Sequence, residues 1–123
     1  MLYKRKDVHH DLCVLRVGVG VLDLPGGVVT DMNAGSMYVR FASAPDGLSI
    51  VNRAATFARN WNDDDYATYC RKKSLKCAEV LIPNVVPLSF ITGAYVSGHQ
   101  GRDALAAAAP ALTAVINSDL FFV

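Results

Sequence analysis

Hydrophobic positions along the chain fall into short valine-rich runs separated by polar, turn-forming stretches. Residues 11–22 are rich in valine and punctuated by Gly18 and Gly20, which reads as one strand, or two short ones kinked at the glycines. Pro25-Gly26-Gly27 is a turn signal and Val28-Val29-Thr30 a short strand after it. Residues 37–42 suit either a strand or the first turns of a helix capped by Ser36. After the turn Ala44-Pro45-Asp46-Gly47, the apolar positions Ile50, Val51, Ala54, Ala55, Phe57 and Ala58 recur at three- and four-residue steps. That spacing predicts an amphipathic helix over residues 48–59. Residues 60–65 break it with a polar, acidic cluster, and residues 66–76 are short, mixed and basic at their end. Strands are expected over 77–82, closed by Pro83-Asn84, and over 90–97. Residues 102–116 are alanine-rich and helical in propensity, interrupted by Pro110, and residues 120–123 read as a terminal strand or docking tail. Strands and helices are interspersed without a regular strand–helix–strand rhythm, so the expected fold class is α+β.

The most apolar of these runs, Cys77-Ala78-Glu79-Val80-Leu81-Ile82, carries the only glutamate of the chain. The ten other acids are all aspartates, most of them in loop-like surroundings. A carboxylate among β-formers loses hydration unless a charge or hydrogen-bond donors offset the loss. Glu79 is therefore either a functional acid or the partner of a nearby Arg or Lys.

Composition narrows the field. A chain of 123 residues, 52% hydrophobic and 19% charged, reads as one folded domain over 1–123 with a real core. A formal net charge of +1 provides no global pull toward nucleic acid or acidic lipid, so such contacts need a local patch. Cys13, Cys70 and Cys77 form no close Cys-x-x-Cys pair, which favours free thiols in a reducing cytoplasm and no metal site. No stretch approaches the ~20 apolar residues that cross a bilayer, and the start has no apolar run of a signal peptide.

Chemistry-bearing residues cluster around the glutamate. Arg71-Lys72-Lys73-Ser74-Leu75-Lys76 places four cations in six residues, preceded by Trp61, Tyr66 and Tyr69. Such a run is either a solvated face or a surface for single-stranded nucleic acid, where bases stack and phosphates pair. Residues 31–36, Asp31-Met32-Asn33-Ala34-Gly35-Ser36, form a small-residue turn after a strand, able to cap a helix or to aim amides at a ligand. His9, His10 and His99 stand apart from any Cys or Glu pattern, and glycine-rich phosphate loops and nucleophile elbows are absent.

Three blocks in order carry a family resemblance. They are Val28-Val29-Thr30-Asp31-Met32-Asn33-Ala34-Gly35-Ser36 leading to Arg40-Phe41, then Trp61-Asn62-Asp63-Asp64-Asp65, then Arg71-Lys72-Lys73 followed by Cys77-Ala78-Glu79-Val80-Leu81-Ile82. Together they resemble the DarT family of DNA ADP-ribosyltransferases over roughly residues 1–97. The resemblance implies an ADP-ribosyltransferase-like split, twisted β-sheet with flanking helices. It also implies transfer of ADP-ribose from NAD, as substrate, to a base in single-stranded DNA. Such proteins act as toxins opposed by a macrodomain antitoxin. On that likeness Glu79 takes the position of the catalytic carboxylate, and Asn33 that of a residue lining the NAD site. The segment bearing Arg71, Lys72 and Lys73, with Trp61, faces the DNA.

The family's N-terminal segment, with its Leu-Tyr-His-like strand and an arginine that grip NAD, has no counterpart here. Met1-Leu2-Tyr3 matches an interior stretch of the family instead. The expectation is thus an N-terminally truncated domain, either an active transferase or an inactive remnant that binds nucleic acid or a partner. A lost first strand would expose a sheet edge and favour self-association.

Overall fold

The computed structural model describes residues 2–123, with side chains from Lys4 onward, so the side chains of Met1-Leu2-Tyr3 lie outside it. Turns of 3-10 helix over Leu2–Asp11 lead into strand β1 (Cys13–Val17) and a 3-10 turn at Val19–Asp23. Strands β2 (Val28–Thr30) and β3 (Phe41–Ser43), a 3-10 turn at Asp46–Ile50 and helices α1 (Arg53–Thr56) and α2 (Tyr66–Leu75) follow. The chain continues through β4 (Val80–Leu81), a 3-10 turn at Leu88–Phe90, β5 (Ile91–Val96), α3 (His99–Ala108), β6 (Ala114–Ile116) and α4 (Ser118–Phe121). The class is α+β, with two three-stranded sheets. The chain divides into two compact units, a central one over Gly20–Val86 and a terminal one of residues up to Val19 together with Pro87–Val123.

In the central unit β2 lies between β3 and β4 and runs antiparallel to both. A middle strand is covered on both edges, so its β-branched residues carry the core: Val29 and Thr30 are 1% and 0% exposed. The helix expected over residues 48–59 is broken in two. Val51 is extended, and Asn52, itself extended, caps α1 by accepting the Ala55 N–H at 3.0 Å. Local capping therefore overrides the helical spacing of the apolar residues. The basic stretch after residue 65, unassigned from pattern, is a full helix because Asp65 caps it, accepting the Thr68 N–H at 2.8 Å. The strand expected over 77–82 contracts to β4.

In the terminal unit β5 is the middle strand, antiparallel to β1 and parallel to β6. Its Ala94 and Val96 are fully buried. The alanine-rich stretch is not one helix. Helix α3 starts earlier, at His99, and ends at Ala108 before Pro110, and residues 114–116 cross back as β6. One strand–helix–strand crossover therefore exists here, which the alanine pattern concealed. The C-terminal residues form a helical turn rather than a strand. Asn117 caps α4 by accepting the Leu120 N–H, and Phe121 is buried at 1% exposure.

Candidate functional site

Glu79 stands at the mouth of β4, held to β2 across 49 residues of chain. The Thr30 N–H donates to the Glu79 carbonyl at 2.9 Å, and the Glu79 N–H donates to Thr30 Oγ1 at 3.0 Å. Thr30 Oγ1 in turn donates to the Met32 carbonyl at 2.7 Å, so one buried hydroxyl joins the acid's backbone to the turn after β2. That turn then reaches the carboxylate: the Ala34 N–H donates to Glu79 Oε2 at 3.1 Å. The 31–36 segment caps no helix. It aims a backbone amide at the acid, and it is braced by the Asn33 N–H bonding the Ser74 carbonyl and by Asn33 Oδ1 accepting the Gly35 N–H at 2.9 Å.

The Glu79 side chain is half-buried and lines a cavity of about 600 Å³ with Arg53, Ser49, Thr56, Val29 and Phe57. That volume lies within the range that holds small-molecule ligands. Among the described residues Glu79 forms no ion pair, although Arg53 shares its cavity, and two lysines that precede it are engaged elsewhere. Lys76 Nζ donates to the Thr56 and Ala58 carbonyls and sits 5.0 Å above the Trp61 ring. Lys72 Nζ pairs with Asp63 at 2.7 Å.

The acid of this unit that is sealed in an ion pair is Asp31, with a side chain only 5% exposed. Arg40 Nε donates to its Oδ2 at 2.7 Å and the Arg40 N–H to its Oδ1 at 2.9 Å. Burial alone would push the Asp31 carboxyl up. The Arg40 backbone N–H, guanidinium hydrogen bond and charge outweigh it and hold Asp31 below its ordinary value.

Asp31 and Arg40 also border a second cavity of the same unit, about 710 Å³, with Tyr38, Asn52, Cys70 and Arg71. Of the residues expected to face DNA, Arg71 is exposed and opens onto this cavity, and Lys73 lies 5.6 Å over the Tyr69 ring. Lys72 and Trp61 are engaged by Asp63 and Lys76 respectively, while Asn33 lines neither cavity. Pattern reading overlooked Thr30, Ala34 and Arg53 as contributors. A threonine ending a strand just before an Asp-x-Asn turn was the one available signal for the first. Among the described residues no helix is long and apolar enough to cross a membrane.

Comparison with known proteins agrees with this architecture. A Thermosipho africanus DarTG solved in complex with ADP-ribose superposes with a TM-score of 0.79 at 21% identity, over 100% of this chain and 33% of that one. A Thermus sp. 2.9 DarT in complex with NAD+ gives 0.67 at 18% identity, over 77% of this chain and 48% of that one. The same DarT in complex with ADP-ribosylated ssDNA gives 0.69 at 18% identity, over 85% and 52%. The chain thus spans between a third and about half of these solved relatives, and at such identities the likeness establishes the fold. No curated protein sequence matches it. The family described as "ssDNA thymidine ADP-ribosyltransferase, DarT" matches residues 1–120, nearly the whole chain, and the protein belongs to that family.

Proposed function

We propose that this chain acts as one ADP-ribosyltransferase domain that transfers ADP-ribose from NAD to thymidine in single-stranded DNA. The observation that carries the proposal is a carboxylate, Glu79, that lines an open ligand-sized cavity and is held by a backbone N–H instead of a cation. The family description and the solved relatives with NAD+ and ADP-ribosylated ssDNA support the same reading.

In this reaction the nicotinamide–ribose C–N bond breaks, neutral nicotinamide leaves with the bonding electrons, and the anomeric carbon becomes cationic. A fixed carboxylate in a cavity with apolar walls stabilises that charge where it develops. The bond from the base nitrogen to the anomeric carbon then forms, and Glu79 accepts the proton the nitrogen releases. Arg53, the cation in the lining of the same cavity, suits the pyrophosphate of the donor. Asn33 lines neither cavity, and its role of orienting a ligand through its NH2 group rests on the family likeness, its amide oxygen being tied to Gly35. Arg71, Lys72, Lys73 and Trp61 form the DNA-facing side. The role extends to a cytoplasmic toxin held in check by a macrodomain antitoxin, since both NAD and DNA are found there.

The test is transfer of label from NAD to a thymidine-containing single-stranded oligonucleotide. Wild type should label it, and Glu79→Gln, which keeps an acceptor for Ala34, should lose about 10²-fold or more of the rate while remaining folded. A folded wild type that labels no oligonucleotide overturns the transferase reading and leaves a binding module.

A further inference from the structure

Helix α1 is a single turn, too short to hold itself in place, yet it supplies part of the Glu79 cavity. Arg53, Thr56 and Phe57 line the cavity from α1 and its end, while Ala78, Glu79 and Val80 line it from the segment that runs into β4. The acid itself is fixed from β2 and the turn after it, by Thr30 and the Ala34 N–H. A different set of contacts, at the end of α2, fixes α1.

Thr56 Oγ1 donates to the Leu75 carbonyl at 3.1 Å. Lys76 Nζ donates to the Thr56 carbonyl at 3.4 Å and to the Ala58 carbonyl. Carbonyls at the close of a helix lack an intrahelical donor, and one ammonium serves both. The same ammonium lies 5.0 Å above the ring of Trp61, the single tryptophan of the chain. Lys76 closes the basic run that begins at Arg71, but it is half-buried where Arg71 is exposed, and two carbonyls and a ring face surround its charge. It also stands three residues before Glu79. One side chain thus joins the wall that bears Arg53 to the segment that bears the acid.

We propose that Lys76 is a positioning residue for the grip on NAD, holding the α1 wall and its Arg53 at a fixed spacing from Glu79. The identity of the ligand rests on the transferase reading. Two sets of contacts then divide the task. Thr30 and Ala34 set the acid, on which the chemical step depends, and Lys76 sets the cationic wall, on which the hold on the pyrophosphate depends. Loss of that hold weakens the ground state and the transition state alike, so it appears in KM and not in kcat.

The test combines NAD affinity by titration calorimetry without DNA, KM and kcat for transfer to an oligothymidylate, and urea midpoints. Lys76→Met, which keeps an apolar chain over Trp61 but no donor, should raise the Kd and KM for NAD about tenfold and leave kcat within about threefold. Its affinity for the oligonucleotide, and the salt dependence of that affinity, should stay as in wild type. Lys76→Arg, whose fork can reach both carbonyls and stack on the indole, should restore NAD affinity to within about threefold. If Lys76→Met does not fold, Lys76→Gln is read in the same way. An unchanged Kd for NAD in the folded variant overturns the proposal, as does a lower urea midpoint with KM unaltered, which marks a purely structural lysine. A weaker salt dependence of DNA binding would assign Lys76 to phosphate instead, and no rescue by arginine or no NAD binding by wild type would also sink the idea. A wild type that binds NAD through Lys76 but transfers nothing loses the transferase reading and keeps the positioning role. One that transfers with the same KM in Lys76→Met loses only the positioning role.

Discussion

Two carboxylates of the central unit, 48 positions apart, have opposite fates. Asp31 is spent on structure, locked to the Arg40 guanidinium and N–H, while Glu79 lines a cavity without an ion-pair partner among the described residues. Asp31→Asn should therefore destabilise the protein by about 2 kcal/mol at neutral pH in urea titrations, the scale of hydrogen bonds to a charged group. Since the folded Asp31 ionises below its ordinary value, its stabilisation is fully present above about pH 4 and is lost as pH falls through the depressed folded value. The difference between wild type and Asp31→Asn should shrink accordingly on acidification. Thr30 is the second residue whose chemistry exceeds its size. Thr30→Val leaves the Met32 carbonyl and the Glu79 N–H without their partner and should cost about 1–3 kcal/mol, with a parallel drop in transfer rate as the acid loosens. A variant as stable and as active as wild type would show that the hydroxyl does not hold the acid.

At the scale of elements, legibility followed how local the decisive interactions are. Val28-Val29-Thr30 and the strand within residues 90–97 were readable because β-branched runs between turn signals point to strands wherever they pair. The 48–59 stretch was misread because Asn52 offers its own oxygen to Ala55, a cap invisible to a spacing argument. The alanine-rich segment was divided by Pro110, and its last part became β6 by pairing with β5, a contact no local pattern encodes. That pairing makes its own prediction. Gly93 has φ +150°, and a Cβ there would lie 2.8 Å from the Thr113 carbonyl oxygen. Gly93→Ala should therefore cost about 2 kcal/mol or more, seen as a lower urea midpoint, while Glu79's cavity belongs to the other unit and supplies an internal control.

For the whole molecule, each unit leaves large apolar side chains in water. Met37, Tyr38, Phe57 and Val85 are at least 70% exposed in the central unit, as are Val19 and Leu88 in the terminal one. Such surface, next to sheets whose outer strands β1, β3, β4 and β6 each pair on one side only among the described residues, favours association. Sedimentation over a range of concentrations should show self-association that weakens in mild denaturant, and a stable monomer throughout would count against it. The same surface limits what composition alone could reveal. A near-neutral chain concealed a cationic helix face, because the charges that matter are grouped by α2 and not by the total.

The amino-acid order by itself determined the mixed α+β character, the two central strands, the basic run and the isolation of one glutamate among aspartates. These depend on neighbours within a few residues, where propensity and periodicity act. Folding alone decided which acid is sealed and which stays open, because the Thr30 hydroxyl, the Ala34 amide and the Arg40 guanidinium had to be brought to their carboxylates from separate elements. It decided too that α2 sets Lys73 over the Tyr69 ring beside an arginine-lined cavity, since side chains three and four residues apart become neighbours only once the helix has formed.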